Sequence, residues 1–219
     1  MRLAVLGSAI LILFAPALSS GQGYTPYFSR TDFFQVAFPG QPTIQDTTFT
    51  SEYTGVFPAR VYSVTNERGK FLVTVVDYTN AESIHKERMK ACPPDAQSEC
   101  IGSDDAPGAG SWRYDILSAL DHATRPFLTR EGTVTHFAWA VVDRVPGRQI
   151  HVTNPDGSRT FVAIHMHEDR LYILDATVPP RAPEPGLFQQ SLQFLDKDGK
   201  PIRYDSVYVV GRPAPGRVR

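Results

Sequence analysis

Residues 133–178 read TVTHFAWAVVDRVPGRQIHVTNPDGSRTFVAIHMHEDRLYILDATV. Apolar and polar residues alternate through four runs, at residues 133–142, 149–153, 160–167 and 171–178, separated by Val145-Pro146-Gly147, Asn154-Pro155-Asp156-Gly157 and Glu168-Asp169. A period of two marks a strand, because successive side chains point to opposite faces. Connections this short join antiparallel neighbours. The stretch predicts an antiparallel meander with turns at those three places.

Working outward, the same signature recurs upstream. Phe34-Gln35-Val36-Ala37-Phe38 alternates and is stopped by Pro39-Gly40, and further strand-like runs follow at residues 43–50, 57–64 and 70–78, with Arg68-Gly69 as a turn between the last two. Thr79-Asn80-Ala81-Glu82 has the form of a capping box, so a helix is expected from there, with Ala81, Ile84 and Met89 on its stripe. A second helix is expected behind Ser111, carrying Trp112, Ile116, Ala119, Leu120, Ala123 and Phe127 at helical spacing and ending at Pro126. Downstream of the Pro-rich segment 179–186, Leu187, Phe188, Leu192 and Leu195 suggest a last amphipathic helix, and residues 203–210 one more strand. Strand runs interrupted by helices, with no βαβ alternation, point to an α+β fold: a mainly antiparallel β-sheet flanked by helices, in a single domain over residues 31–210. Residues 18–30 read as a leader and 211–219 as a disordered basic tail.

The chain has 219 residues, with 22 Lys+Arg against 23 Asp+Glu. That balance gives no electrostatic footprint for nucleic acid, so no nucleic-acid partner is expected. Arg2, the uncharged run from Leu3 to Phe14 and Ala15-Pro16-Ala17 follow the order of a secretory signal peptide. Cleavage is expected between residues 17 and 23, which makes residues 1–23 signal peptide and mature leader. The apolar run is too short for a bilayer that needs about 20 residues, so no transmembrane segment is expected after cleavage. The expected address is export to a bacterial periplasm or the extracellular space. There an oxidising medium favours a disulfide between Cys92 and Cys100, the two cysteines of the chain.

The pattern Phe34-x-Val36-x-Phe38-Pro39-Gly40-x-Pro42, the meander behind it, the central helix, Leu171-Tyr172-Ile173-Leu174 and Phe188-x-x-Ser191-Leu192 resemble small exported bacterial proteins of the Mog1/PsbP-like group. The resemblance covers most of residues 31–196. It implies an α/β/α sandwich around an antiparallel sheet and a non-enzymatic accessory or binding role, with no catalytic residues to carry over. The Cys92–Cys100 segment and the Arg-rich tail fall outside it.

Chemistry-bearing motifs are sparse. There is no nucleophile elbow, phosphate loop or zinc-protease motif, so neither catalysis nor a cofactor is expected. The densest polar cluster is His165-Met166-His167-Glu168-Asp169. On a strand His165 and His167 share a face and could hold a metal with Asp169, the basis for an alternative reading as a metal-dependent hydrolase. The competing reading is a hairpin with Val162, Ile164 and Met166 inward and both histidines on a solvated face. Ser118, Asp121 and His122 on the central helix lack an oxyanion site. Asp104-Asp105 supplies too few oxygens for calcium. The expected function is therefore an exported non-catalytic binding or accessory module for an envelope or secreted protein, with Tyr24, Tyr27, Phe28, Tyr53 and the 179–186 loop as partner surface. A small-ligand carrier would require an open gap between helix and sheet. If Cys92 and Cys100 are paired, reductant should lower the melting temperature modestly; equal melts with and without reductant would remove the bond's structural role.

Overall fold

The alternating runs find one another in a seven-stranded antiparallel sheet. The computed structural model describes residues 23–91 and 111–218. The signal segment, Cys92, Cys100 and Asp104-Asp105 lie outside the described residues. In chain order the elements are β1 Thr25–Ser29, β2 Phe34–Phe38, β3 Thr43–Thr50, β4 Val56–Asn66, β5 Gly69–Asp77, α1 Ala81–Lys90, α2 Ser111–Thr129, β6 Thr133–Val142, β7 Val145–Thr153, β8 Arg159–His167, β9 Arg170–Val178, α3 Gly186–Gln189 and β10 Gln193–Phe194. The large sheet runs β3-β4-β5-β9-β8-β7-β6, and β1, β2 and β10 form a second, three-stranded sheet. The fold is α+β and mainly antiparallel. No helix among the described residues is long and apolar enough to cross a membrane.

The edge strands β3 and β6 of the large sheet stay largely exposed, while both faces of its central strands are covered. On one, α1 and α2 seat Ala81, Ile116, Ala119 and Ala123 over Phe57, Ile150, Val162, Ile164, Met166 and Leu171. On the other, the small sheet, α3 and the residues after β10 bring Phe34, Phe38, Phe188, Leu192, Phe194, Ile202 and Tyr204 against Tyr62, Phe71, Phe161, Tyr172 and Leu174. The second layer is held by aromatic edges: Phe34 to Tyr62 at 4.9 Å, Phe38 to Phe188 at 5.3 Å and Phe194 to Tyr172 at 5.3 Å between ring centroids. Such pairs add about 0.5–1.5 kcal/mol each beyond area burial. A polar hub fixes its angle. Asp32, beside the left-handed Phe33, accepts Arg60 on both carboxylate oxygens at 2.9 Å and also the Tyr62 hydroxyl, while its backbone carbonyl accepts Tyr172 Oη at 2.9 Å.

Several local expectations give way to packing. The β6–β7 turn is Asp143-Arg144, both at positive φ, not Val145-Pro146-Gly147. Gly147 stands in the β7 ladder opposite His165, where its missing Cβ admits the Ile164 carbonyl and the His165 ring. Pro146 precedes the first β8 partner, so its absent N–H leaves no gap in that ladder. Residues 25–29, expected as leader, pair with β2 from Thr25↔Phe38 to Ser29↔Phe34. The capping box does not close: the Asn80 side chain makes no cap bond, and Thr79 Oγ1 donates to Asp77 Oδ1 at 2.6 Å instead. The inward residues of α1 are Ala81 and His85. Helix α2 runs through Pro126 to Thr129, losing only the bond that residue would donate to His122. The last helix is one turn, after which the chain extends as β10 against β2. No strand forms over residues 203–210; Tyr204 bridges singly to Arg217. That bridge, with Val218 N donating to Arg203 O at 2.8 Å and Arg217 pairing with Glu168 at 3.3 Å, ties back the end expected to be disordered.

Gly147→Ala should cost at least about 2 kcal/mol, because its Cβ would lie 2.2 Å from the Ile164 carbonyl oxygen. Gly186→Ala, with nothing within 4 Å, should be neutral or slightly stabilising. Urea unfolding of the two variants beside the parent measures the difference.

Candidate functional site

The expected metal candidates part company in three dimensions. His165 and His167 do share a face of β8, opposite Tyr172 and Arg170, but it is not the solvated face of a hairpin: both rings are buried. His167 stacks on Phe194 at 4.3 Å and its Nε2 pairs with Tyr204 Oη at 2.7 Å. Neither ring nitrogen of His165 has a hydrogen-bond partner among the described residues. Asp169 is exposed, in the two-residue turn beyond β8 with Glu168, both at positive φ. Among the described residues no group of three or more His, Cys, Asp or Glu side chains is arranged to hold a metal ion. Ser118 and His122 form no dyad; Ser118 Oγ faces the Asp115 carbonyl and His122 Nε2 the Thr50 carbonyl, at 3.0 Å. His136 lies 4.6 Å from His151 between ring centroids, and Trp139, 70% exposed, carries the Arg148 guanidinium 4.6 Å from its ring.

A constellation that the sequence did not reveal joins α1, α2 and the β3–β4 loop. Asp115, fully buried, accepts Ser51 Oγ and His85 Nε2, the latter at 2.8 Å. Arg88 Nη1 donates to His85 Nδ1 at 3.2 Å, which leaves the ring proton on Nε2 facing the carboxylate. Arg88 also donates to the Tyr53 carbonyl at 2.7 Å, and Ser51 Oγ accepts Gly55 N at 3.0 Å. Serine, aspartate and histidine occur here in the wrong order for nucleophilic catalysis. The carboxylate stands between the hydroxyl and the imidazole, so the imidazole is not placed to take the serine proton. All three side chains are buried. The network's work is to fasten both helices to the sheet. Residues 64 and 30 positions apart in the chain carry no local signal of it.

Two of the open concavities among the described residues have largely apolar walls. One, of about 550 Å³, is lined by Tyr24, Arg68, Phe71, Ala182, Pro183 and Leu187 among others. Tyr24 packs edge-on to Phe71 at 6.0 Å and under the Arg68 guanidinium at 5.8 Å. Its Pro-rich wall is held by Arg159, which donates to the Ala182 carbonyl and faces Glu184 at 3.9 Å. The other, of about 400 Å³, opens between the C-terminal half of α2 and strands β5 and β9. Of the aromatics expected on the partner surface, Tyr24, Tyr27 and Tyr53 are half-buried, and Phe28 alone is exposed.

No family model matches the chain, and no curated protein matches it. Among solved structures it is similar to cyanobacterial PsbP (CyanoP) from Synechocystis sp. PCC 6803, at 11% identity and a TM-score of 0.41, over 83% of this chain and 98% of that one.

Burial pushes the His165 pKa down to about 4 and that of His167 to about 3. In the unfolded chain both titrate near about 6.5. Below that value the unfolded state takes up protons that the folded state refuses, so stability falls as pH drops from about 6.5 toward about 4. Each histidine contributes up to ~1.4 kcal/mol per pH unit. His165→Leu removes a ring without hydrogen-bond partners, and should cost no more than about 1.5 kcal/mol at neutral pH. It should also flatten the acid loss by one histidine's share, read from urea unfolding at about pH 7 and about pH 4.5.

Proposed function

We propose that the chain is an exported, non-catalytic binding module, acting in the periplasm or the extracellular space on an envelope or secreted protein. The observation that carries this reading is the groove in which two segments distant in sequence meet: Tyr24 ahead of β1, and the Pro-rich loop before α3. Leu187 stands at its edge, 67% exposed, beside Pro183 and Ala182. The wall is fixed before any partner arrives, by Arg159 and by Ala182 N donating to Pro179 O at 3.1 Å. Fixing it beforehand lowers the ordering cost of binding. An aromatic ring, an open leucine and a polar rim of Glu67, Arg68 and Glu184 form the apolar centre and charged border of an interface for an extended segment of another protein. Burial of His165 and His167, and the order of groups around Asp115, weigh against a hydrolase.

A photo-reactive residue at position 187 should give one discrete adduct in cells, and the same probe at the exposed Lys197 none. Leu187→Asp should weaken the interaction at least ten-fold while leaving the melting temperature unchanged. Equal labelling from both positions, or an interaction indifferent to Leu187→Asp, would overturn the reading.

A further inference from the structure

The two edges of the large sheet are finished differently. Strand β3 carries Asp46, paired with Arg60 of β4 at 2.9 Å, and is preceded by Pro42. Charges and prolines are among the devices that keep a sheet edge from pairing with another chain. Strand β6, at the other edge, reads TVTHFAWAVV and holds no Asp, Glu, Lys, Arg or Pro. Its Phe137, Trp139 and Val141 stand on the face that α2 covers at Ile150, but the cover stops short of them, and they are 52%, 70% and 63% exposed.

The phase of the β6–β7 hairpin fixes which backbone groups are open. Its turn is two residues long, both at positive φ, so the closing pair Val142↔Val145 exchanges both backbone hydrogen bonds, and bonded and non-bonded pairs alternate from there. Ala140 and Ala138 therefore bond to β7. Val141, Trp139 and Phe137 fall in the non-bonded pairs, and their N–H and C=O groups point away from β7 to the open edge. Pro146, opposite Val141, has no N–H to give and fits that phase. The regular edge ends at the register shift between Val134 and His136. Phe137, Trp139 and Val141 thus offer apolar side chains together with backbone donors and acceptors, and among the described residues no strand takes them up.

Such an edge accepts a strand, and its own sequence selects which. Phe137-Ala138-Trp139-Ala140-Val141 reads almost the same in both directions. With a two-fold axis at Trp139, an antiparallel pair of these strands sets Trp139 against Trp139, Phe137 against Val141 and Ala138 against Ala140. In this register every open residue of each copy both donates and accepts, and the non-bonded positions, where strands approach most closely, hold alanine. No unpaired charge is buried: Arg148, whose guanidinium lies 4.6 Å from the Trp139 ring, is held by Asp121 at 3.0 Å. We propose that β6 is a self-association edge, along which two copies of this chain join their seven-stranded sheets antiparallel about a two-fold axis at Trp139. The edge shares no residue with the Tyr24–Leu187 groove and does not rest on the binding role proposed for it.

Sedimentation velocity of the purified protein over a concentration series, with hydrogen exchange read by NMR at its two ends, tests the assignment. A monomer–dimer equilibrium is expected, and the amides of Phe137, Trp139 and Val141 should gain protection as the dimer fills, while those of Ala138 and Ala140, already bonded to β7, change little. Trp139→Lys, which gives the edge a charge at an exposed position, should weaken association at least about ten-fold with an unchanged melting temperature. A monomer at every concentration, a dimer indifferent to Trp139→Lys, or protection that builds up elsewhere than at Phe137, Trp139 and Val141 would overturn the proposal. The exchange measurement needs no variant and decides the matter even if Trp139→Lys does not fold.

Discussion

Strand β8 has every side chain from Thr160 to His167 buried, because helices cover one of its faces and the small sheet with the C-terminal segment covers the other. An antiparallel sheet more often keeps one face for water. Here Val162, Ile164 and Met166 pack under α2, while Phe161, Ala163, His165 and His167 face the second layer. The rest of the molecule answers to that double burial. Register is fixed on both sides at once, since a slip by one residue would exchange two complete sets of side chains. The neighbouring strands must also come close enough to seal the layer, which is why β7 places a glycine against His165.

Two covered faces create seams where polar groups enter the interior, and each seam carries a network that satisfies most of them. Asp32 binds Arg60, Tyr62 and Tyr172 and so clamps the β1–β2 corner to the large sheet. Asp115 collects Ser51 and His85 and clamps α1 and α2. His167 and Tyr204 tie β8 to the chain beyond β10. Removing one partner of such a network leaves a buried polar group unsatisfied, typically at about 1–3 kcal/mol, so these networks set the angles between layers that hydrophobic contact alone leaves loose. Among the buried atoms left without a partner, His122 Nδ1 and Asp175 Oδ1 belong to residues that line the concavity beside the C-terminal half of α2.

The strands were legible because alternation is a local property. Residues 34–38, 43–50 and 133–142 fall where the pattern puts them, and the Glu168-Asp169 turn pairs His165 with Tyr172 as its register requires. The turn before β7 was misread because Pro146-Gly147 has the composition of a turn, while the reason for Gly147 is the crowding by a strand remote in sequence. Pro126 was read as a helix end, though one lost backbone bond is a cost the packing of Phe127 and Leu128 outweighs. For the candidate sites, sequence placed His165 and His167 on one face correctly and gave that face the wrong environment. It had no access to the Ser51–His85–Asp115 grouping.

The sequence by itself determined the α+β class, the antiparallel strands and the stripe of α2, because each follows from the geometry of a few consecutive residues. Only the tertiary structure decided which faces are covered, which histidines are buried, that Tyr24 meets the Pro-rich loop and that a gap remains under α2. These depend on contacts between residues tens of positions apart, where the free energy belongs to the fit of whole layers and no local pattern encodes it.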